Sequence, residues 1–482
     1  MCIGYHRSMT SRASSRTPES SASNKRTKKS AFVNHEAAVA FLDNRINVER
    51  INPSKIKSSV WKLDRMHAML EVLGRPQDQL DIVHIAGSKG KGSVCHMLES
   101  TLEACGYTTG LFTSPHLIDV RERVRIGAES ITESAFDLAL ELCKDAAAAV
   151  SSKHGEATYF ELLTAIAFVV FADQAVDVVI LETGIGGELD CTNVVKPMIC
   201  GLTSIQLEHT QVLGDTLGAI ARQKAGIMKP GVLAISVKQE DEVTEVFEKH
   251  AQEVGAELQT LGREIEFSSR FQSGSSSGPR GLVCVGAERK GFEHIAVPLL
   301  GMHQTENCGL VLAILLELRE RGFDICERSI ASGLKHMNRH GRLECVCEQP
   351  RIYIDGAHTP ESVRQTLVAV GAHLDYDSLI IIFGCASDKD ISGMFDELDR
   401  GADKIVFTQA TGNPRAVGFK ELHDRFSEHH RVMCSSRPSV KEAINEAAMA
   451  ATGNDLILLL GSFYIAGEAK VLFEERKAKR SV

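Results

Sequence analysis

Nowhere in its 482 residues does the chain approach the ~18 consecutive apolar residues that a membrane-spanning helix requires. Its longest apolar runs, such as Ile457 to Leu460, are strand-sized, so an integral membrane protein is excluded on this reading. Net positive charge is also confined to the first 30 residues. The formal net charge is −9 overall, +6 over residues 1–30 and −15 over the remainder. A body that acidic is a poor electrostatic match for nucleic acid. There is no secretory apolar segment and no internal repeat of 20 to 50 residues. The 13 cysteines are odd in number and scattered through apolar or helical contexts (Cys95, Cys105, Cys143, Cys200, Cys326). Such usage fits buried thiols in a reducing cytosol better than a disulfide framework. Cys345 and Cys347 form a C-x-C without the second pair that a zinc site needs.

What is present is ordinary globular usage, 43% hydrophobic and 24% charged, over a length that predicts two or three domains. Residues 1–30 are Ser-rich, basic and without an apolar core, and read as a disordered tail. The same composition suits an organellar transit peptide, but no apolar face recurs at helical spacing, so a plain tail on a cytoplasmic protein is expected. From residue 81, short apolar strands alternate with amphipathic helices: Asp81 to Ala86, a helix from Gly92, Thr109 to Thr113, Asp177 to Glu182 and Cys200 to Ser204. This predicts parallel βαβ units in a doubly wound sheet. Functional loops of such sheets lie at the carboxyl ends of the strands, which puts Gly87 to Ser93, Ser114 to His116, Glu182 to Asn193 and His209 on one rim. Residues 268–281 are Ser/Gly-rich and read as a mobile surface loop. Helices at about Gln304 to Arg321 and Glu327 to Met337 lead to a second alternating series, with strands at Arg351 to Ile354, Leu379 to Phe383, Lys404 to Phe407, Arg431 to Cys434 and Leu456 to Leu460. The expected division is a tail at 1–30, a large domain at 31–335 and a smaller α/β domain at 340–482.

Three segments carry chemistry. In IVHIAGSKGKGSVCHMLES (residues 82–100) a strand runs through a Gly-rich turn into a helix, so backbone N–H groups, the helix dipole and Lys91 converge on a spot suited to phosphate. The spacing departs from the usual phosphate-loop pattern, with Ser93 one place late. In VDVVILETGIGGELDCTNVV (176–195), Glu182 ends a buried strand, where a carboxylate calls for a partner such as magnesium. The glycines after it are equally compatible with a purely structural turn. In the third segment (204–231) His209 follows a strand and Lys224 lies on a helix starting near Asp215, capped by Asp215 or Thr216. By spacing alone, His209 reads as a satisfied structural residue and Lys224 as a snorkelling side chain.

SKGKGS, TSPHLIDVRERVRI, GIGGELDCTN, EHTQVLGDT with QKAGI, GMHQTEN, HGRLE, IDGAHTPES and ASDKD, spread over residues 62–467, together resemble the folylpolyglutamate synthase and dihydrofolate synthase branch of the Mur ligase superfamily. The resemblance implies a P-loop-type doubly wound α/β domain that binds ATP, followed by a smaller Rossmann-like α/β domain. It implies that Gly87, Ser88, Lys89, Gly90, Lys91, Gly92 and Ser93 cradle ATP phosphates, with Asn307, Arg342, Asp355 and His358 also contacting ATP, the last three across a cleft. Ser114, Glu182 and His209 would hold Mg2+, and Lys224, as a carbamate, would help hold a second Mg2+. Lys91, Lys224 and His209 would be the catalytic set. His116, Arg121 and Arg123 are expected to contact the pteroate or the acceptor carboxylate.

The implied reaction is ATP-dependent amide formation. The acceptor carboxylate, of dihydropteroate or a reduced folate, takes the γ-phosphoryl group, and the amine of L-glutamate then expels phosphate. A monomer acting on small molecules, without nucleic acid or membrane, is expected. The rivals are another amino-acid ligase of the superfamily and a P-loop NTPase switch protein, the latter leaving IDGAHTPES unexplained. Departures from the commoner pattern are Ser88-Lys89 for Thr-Asn, Glu188 for Arg, Glu208 for Asp and His340 for Pro. Glu188 is the one that exchanges a cation for an anion near an acidic substrate.

Overall fold

The computed structural model describes residues 32–49, 51, 62–273, 279–286 and 291–480; the tail expected at 1–30 lies outside the described residues. The first sheet has eight strands: β1 (Ile82–Ala86), β2 (Thr109–Phe112), β3 (Val124–Ile126), β4 (Glu129–Ser130), β5 (Val178–Glu182), β6 (Ile199–Leu202), β7 (Leu233–Ser236) and β8 (Glu257–Thr260). Their spatial order is β4-β3-β2-β5-β1-β6-β7-β8. The six strands from β2 to β8 in that order run parallel, and only β3 and β4 pair antiparallel. The central strand β1 is buried along its whole length, as a strand covered by helices on both faces must be. One face packs under the helices Lys91–Ala104 and His303–Glu320, the other under Glu133–His154 and Tyr159–Asp173.

A three-stranded antiparallel sheet follows, β9 (Phe267–Gln272), β10 (Arg280–Val285) and β11 (Phe292–Ala296). It corrects the expectation of a mobile loop for residues 268–272 and 280–281; residues 274–278 of that expected loop lie outside the described residues. Ser268 to Gln272 pair in register with Arg280 to Cys284, and the strands are anchored because Phe267, Val283 and Val285 pack into the main core. Most of β9 is exposed, which is why its composition reads like a loop: an edge strand with one solvated face needs few apolar residues.

The second α/β unit contains β12 (Glu344–Glu348), β13 (Arg351–Ile354), β14 (Leu379–Phe383), β15 (Lys404–Phe407), β16 (Met433–Ser436) and β17 (Leu456–Leu460), ordered β12-β13-β17-β14-β15-β16. All neighbours are parallel except the β12–β13 hairpin. β16 starts two residues later than the sequence suggests, because Asp399 accepts from the backbone N–H groups of Arg431 (3.2 Å) and Val432 (3.3 Å) and keeps them out of the ladder. A slip of two preserves which side chains face the core. Cys345 and Cys347 lie on β12, where the Cys345 thiol meets the Cys347 carbonyl at 3.4 Å. Among the described residues no helix is long and apolar enough to cross a membrane.

Candidate active site

Where β1 ends, the chain makes two left-handed turns at glycine, with φ of +150° at Gly87 and +93° at Gly90. A side chain at Gly87 would collide with Thr203, and one at Gly90 with Asn307. The loop is pinned to the end of β6 by the Ser88 and Lys89 N–H groups donating to the Ser204 carbonyl (2.9 and 3.2 Å) and by Ser88 Oγ donating to the Gln206 carbonyl (3.0 Å). The 14-residue helix Lys91–Ala104 then starts with Gly90 in the capping position, where no side chain bonds the first-turn N–H groups. Those donors and the positive end of the helix dipole are left for an anion.

Three ammonium groups crowd this loop. Lys91 Nζ and Lys224 Nζ both donate to the Gly87 carbonyl, at 2.9 and 2.6 Å. Glu208 pairs with Lys224 and with Lys89, each at 3.3 Å. Burial alone would raise the Glu208 pKa, but Lys224, Lys91 and Lys89 overcome it and hold the carboxyl far below the usual range. Burial and the neighbouring Lys91 push Lys224, which is 1% exposed, down to about 8 despite Glu208. One carboxylate facing three lysines leaves excess positive charge, the condition for binding a polyanion. Lys224 is delivered by the helix Leu217–Ala225, whose cap is Thr216, accepting from the Ala219 N–H at 3.1 Å. Thr216→Ala should lower stability by about 1 kcal/mol, read as a reduced unfolding midpoint; an unchanged midpoint would show the cap to be idle.

Opposite the loop, Glu182 ends β5, is 4% exposed, and among the described residues accepts only the Ser114 N–H, at 3.0 Å. Burial raises its pKa against the pull of Lys91 and Arg342. His209 stands exposed at the mouth with φ +49°. Among the described residues no three His, Cys, Asp or Glu side chains form a metal cluster. Glu182, with Ser114 bonded to it through the backbone, is a donor set that fits magnesium, which is content with one carboxylate and takes its other ligands from phosphate and water.

These groups face a cavity of about 360 Å3, closed on its far side by the second α/β unit through Arg342, Asp355 and His358. Both Asp355 oxygens are engaged, by the N–H groups of Leu343 (2.9 Å) and Ala357 (2.8 Å), so Asp355 shapes the wall that carries Arg342. His358 Nδ1 donates to the Gly356 carbonyl at 2.7 Å, leaving Nε2 as an acceptor; burial in the cleft, with Lys89 and Lys389, lowers its pKa to about 3. Of the expected contacts, Ser88 to Ser93, Ser114, Glu182, His209, Arg342, Asp355 and His358 line the cavity. Gly87, Lys224 and Asn307 are not among the cavity-lining residues; Asn307 packs against Gly90 while its amide donates to Gln304 (2.9 Å).

His116, Arg121 and Arg123 are not brought to the cavity walls. Arg121 pairs with Asp119 (2.8 Å), and Arg123, 2% exposed, clasps both oxygens of Glu49 (2.8 and 2.6 Å) and donates to His116 Nδ1 (2.9 Å). It is Glu49, held in this way, that reaches the cavity. Glu188 is also absent from the walls; its backbone is tied to the Gln223 carbonyl at 2.7 Å. The anion noted at this position therefore stands outside the walls of this cavity. Residues without an assigned role in the sequence complete the cleft: Lys389, Asp388 and Arg415 from the second unit, and Leu299, Leu300 and Phe463 as an apolar flank. Asp388 holds Arg415 at 3.1 Å and Lys389 at 3.6 Å. All three follow carboxyl ends of strands in the second sheet, so the strand-end rule applied there is the signal that finds them.

Two family descriptions match the chain: "Mur ligase middle domain" over residues 85–315 and "Mur ligase, glutamate ligase domain" over residues 341–463. The dihydrofolate synthase/folylpolyglutamate synthase of Bacillus subtilis is 32% identical over 413 residues, 85% of this chain and 94% of that one. A probable bifunctional folylpolyglutamate synthase/dihydropteroate synthase of Halobacterium salinarum is 34% identical over 415 residues, and there the chain spans only 50% of the relative's length. The structure of E. coli FolC in complex with DHPP and ADP superposes with a TM-score of 0.79 at 29% identity, covering 92% of this chain and 98% of that one.

Proposed function

The chain belongs to the folylpolyglutamate synthase and dihydrofolate synthase family of Mur ligases, and on that premise we propose that its cleft joins L-glutamate to a pterin-bearing carboxylic acid at the expense of ATP. The enzyme is a ligase forming a C–N bond. The observation that carries the reading is a single cavity in which a phosphate-binding loop with three lysines faces a second unit bearing Lys389 and Arg415. A nucleotide polyanion is matched by one wall, and the carboxylates of an amino acid by the other.

In this reading the acceptor carboxylate oxygen bonds to the γ-phosphorus and ADP leaves. The glutamate nitrogen then bonds to the acyl carbon, inorganic phosphate departs and the amine loses a proton. Lys91 neutralises charge on the transferring phosphoryl group. The loop glycines let the backbone approach the phosphates, and Arg342 closes from the opposite side. Ser114, Glu182 and His209 would hold a magnesium ion, with Lys224 as a carbamate serving a second; such ions supply charge neutralisation to the phosphates. The leucine pair 299–300 and Phe463 offer an apolar flank for an aromatic ring system. The reading takes a monomer as the working unit, and the twelve unbridged cysteines among the described residues suit a reducing cytoplasm.

We propose that both dihydropteroate and a reduced folate monoglutamate serve as acceptors. The reacting carboxylate lies one glutamate farther out in the second, and reaction geometry tolerates little displacement, with ~1 Å of misplacement able to cost ~100-fold. A cleft open between two units has the slack to seat the ring in two registers. With purified protein, ATP, magnesium, glutamate and each acceptor, ADP release should require both glutamate and a pterin acid, and each acceptor should yield a glutamylated product. Product from only one acceptor at saturation would refute the dual role; equal ADP release without either co-substrate would refute the ligase, and turnover of a uridine-nucleotide acid alone would point to a different Mur ligase.

A further inference from the structure

We infer that Arg125 and His340 are positioning residues for Arg342: together they latch the start of the second unit to the first and thereby set the Arg342 guanidinium against the phosphate loop. The inference deepens the proposed function, since it rests on Arg342 acting at the ATP site. Residues 327–336 form a helix that runs back along the helix Lys91–Ala104, close enough that Gly333 lies on the backbone of Ser100 and Thr101 and its carbonyl accepts from Ser100 Oγ at 2.7 Å. The chain then reaches His340, whose ring stacks on His96 of that same helix with centroids 4.1 Å apart and planes 15° from parallel. Just beyond, Arg342 comes so near Gly92 that a side chain there would collide with its guanidinium.

What fixes this approach is a short, conformationally costly bend. His340, Gly341 and Leu343 all have positive φ, +42°, +68° and +42°, values that side chains other than glycine rarely adopt. Each end of the bend is tied: the Leu343 N–H donates to Asp355 at 2.9 Å, and Arg125 Nη1 meets His340 Nε2 at 2.7 Å. Arginine has only donors, so Nε2 must be the acceptor. Burial, followed by His96, Arg125, Arg342 and Lys470 around the ring, favours that neutral form. Arg125 is itself fixed on β3 by the Ala128 carbonyl at 2.5 Å and by Glu99 at 3.0 Å. The relay is completed by Arg342 Nη1 donating to the His340 carbonyl at 3.0 Å. Moving His340 therefore moves both the backbone of Arg342 and the acceptor that orients its guanidinium.

A double-mutant cycle on the full-length protein tests the latch, with kcat/KM for ATP from ADP release and binding of the non-hydrolysable analogue AMPPNP as readouts. His340→Phe keeps the stack and removes the acceptor; it should lower kcat/KM by roughly ten-fold or more, weaken AMPPNP, and have almost no further effect once Arg342→Ala is present. Arg125→Lys should behave in the same way. His340→Asn, which tolerates positive φ and offers an amide acceptor, should recover part of the loss and serves if the Phe variant does not fold. An equal loss in both Arg342 backgrounds, or wild-type kinetics in His340→Phe, would overturn the latch while leaving the ATP site intact. Full activity of Arg342→Ala would instead overturn the placement of ATP on which the latch depends.

Discussion

Lys91→Ala is expected to cost at least about a hundredfold in kcat/KM, or ~3 kcal/mol of transition-state stabilisation. The argument is one of charge already committed. Three ammonium groups surround the phosphate loop, yet two of them, Lys89 and Lys224, are paired with Glu208 at 3.3 Å. Among the described residues Lys91 has only the Gly87 carbonyl, at 2.9 Å, a neutral acceptor that it can leave for a phosphate oxygen. It also stands at the first position of the helix Lys91–Ala104, where its charge adds to the dipole. Alanine favours a helix and leaves the loop glycines intact, so folding should be preserved. The check is ADP release at saturating glutamate and acceptor, alongside an unfolding curve. A folded Lys91→Ala protein with near-normal turnover would remove the phosphate-binding role from this loop.

The strands β1, β5, β14 and β17 are legible in the sequence because they are buried along their whole length and read as apolar runs, interrupted only by His84 and ended by Glu182. The phosphate loop is legible because its function is local: glycines, a lysine and a helix start fall within seven residues. What spacing could not show is convergence. Lys224 meets Gly87 across 137 positions, and Arg342 reaches Gly92 only because residues 327–342 retrace the helix that follows the loop. The bland reading of Lys224 as a snorkelling chain fails on burial: at 1% exposed its ammonium is inside, held by the Gly87 carbonyl and Glu208. The arginines near residue 123 mislead in the opposite sense. The R-E-R-V-R run reads as a ligand contact, whereas Arg123 and Arg125 are both buried: Arg123 donates to Glu49 and His116, and Arg125 meets His340, donates to the Ala128 carbonyl and is ion-paired with Glu99.

Lys224→Ala is expected to be as damaging as the loss of Lys91, and what restores it should reveal the sign of charge that the site needs. As an ammonium, Lys224 bridges a loop carbonyl at 2.6 Å and the Glu208 carboxylate at 3.3 Å. A carbamate on the same nitrogen would be an anion facing Glu208, and the magnesium that accompanies ATP would supply the positive charge to offset that repulsion. The amine is prepared for that change, because burial and Lys91 lower its pKa to about 8. Carbamate forms on the neutral amine, whose fraction grows as pH rises through that value. If the working form is the anion, Lys224→Ala should lose about a hundredfold or more, and short carboxylates such as formate or acetate should restore part of it. Lys224→Arg, which keeps the positive charge and cannot be carbamylated, should stay inactive. Removing dissolved carbon dioxide should lower wild-type activity, and bicarbonate should return it. An active Lys224→Arg enzyme, indifferent to bicarbonate, would leave Lys224 as a cation whose task is to hold Glu208 and the phosphate loop together.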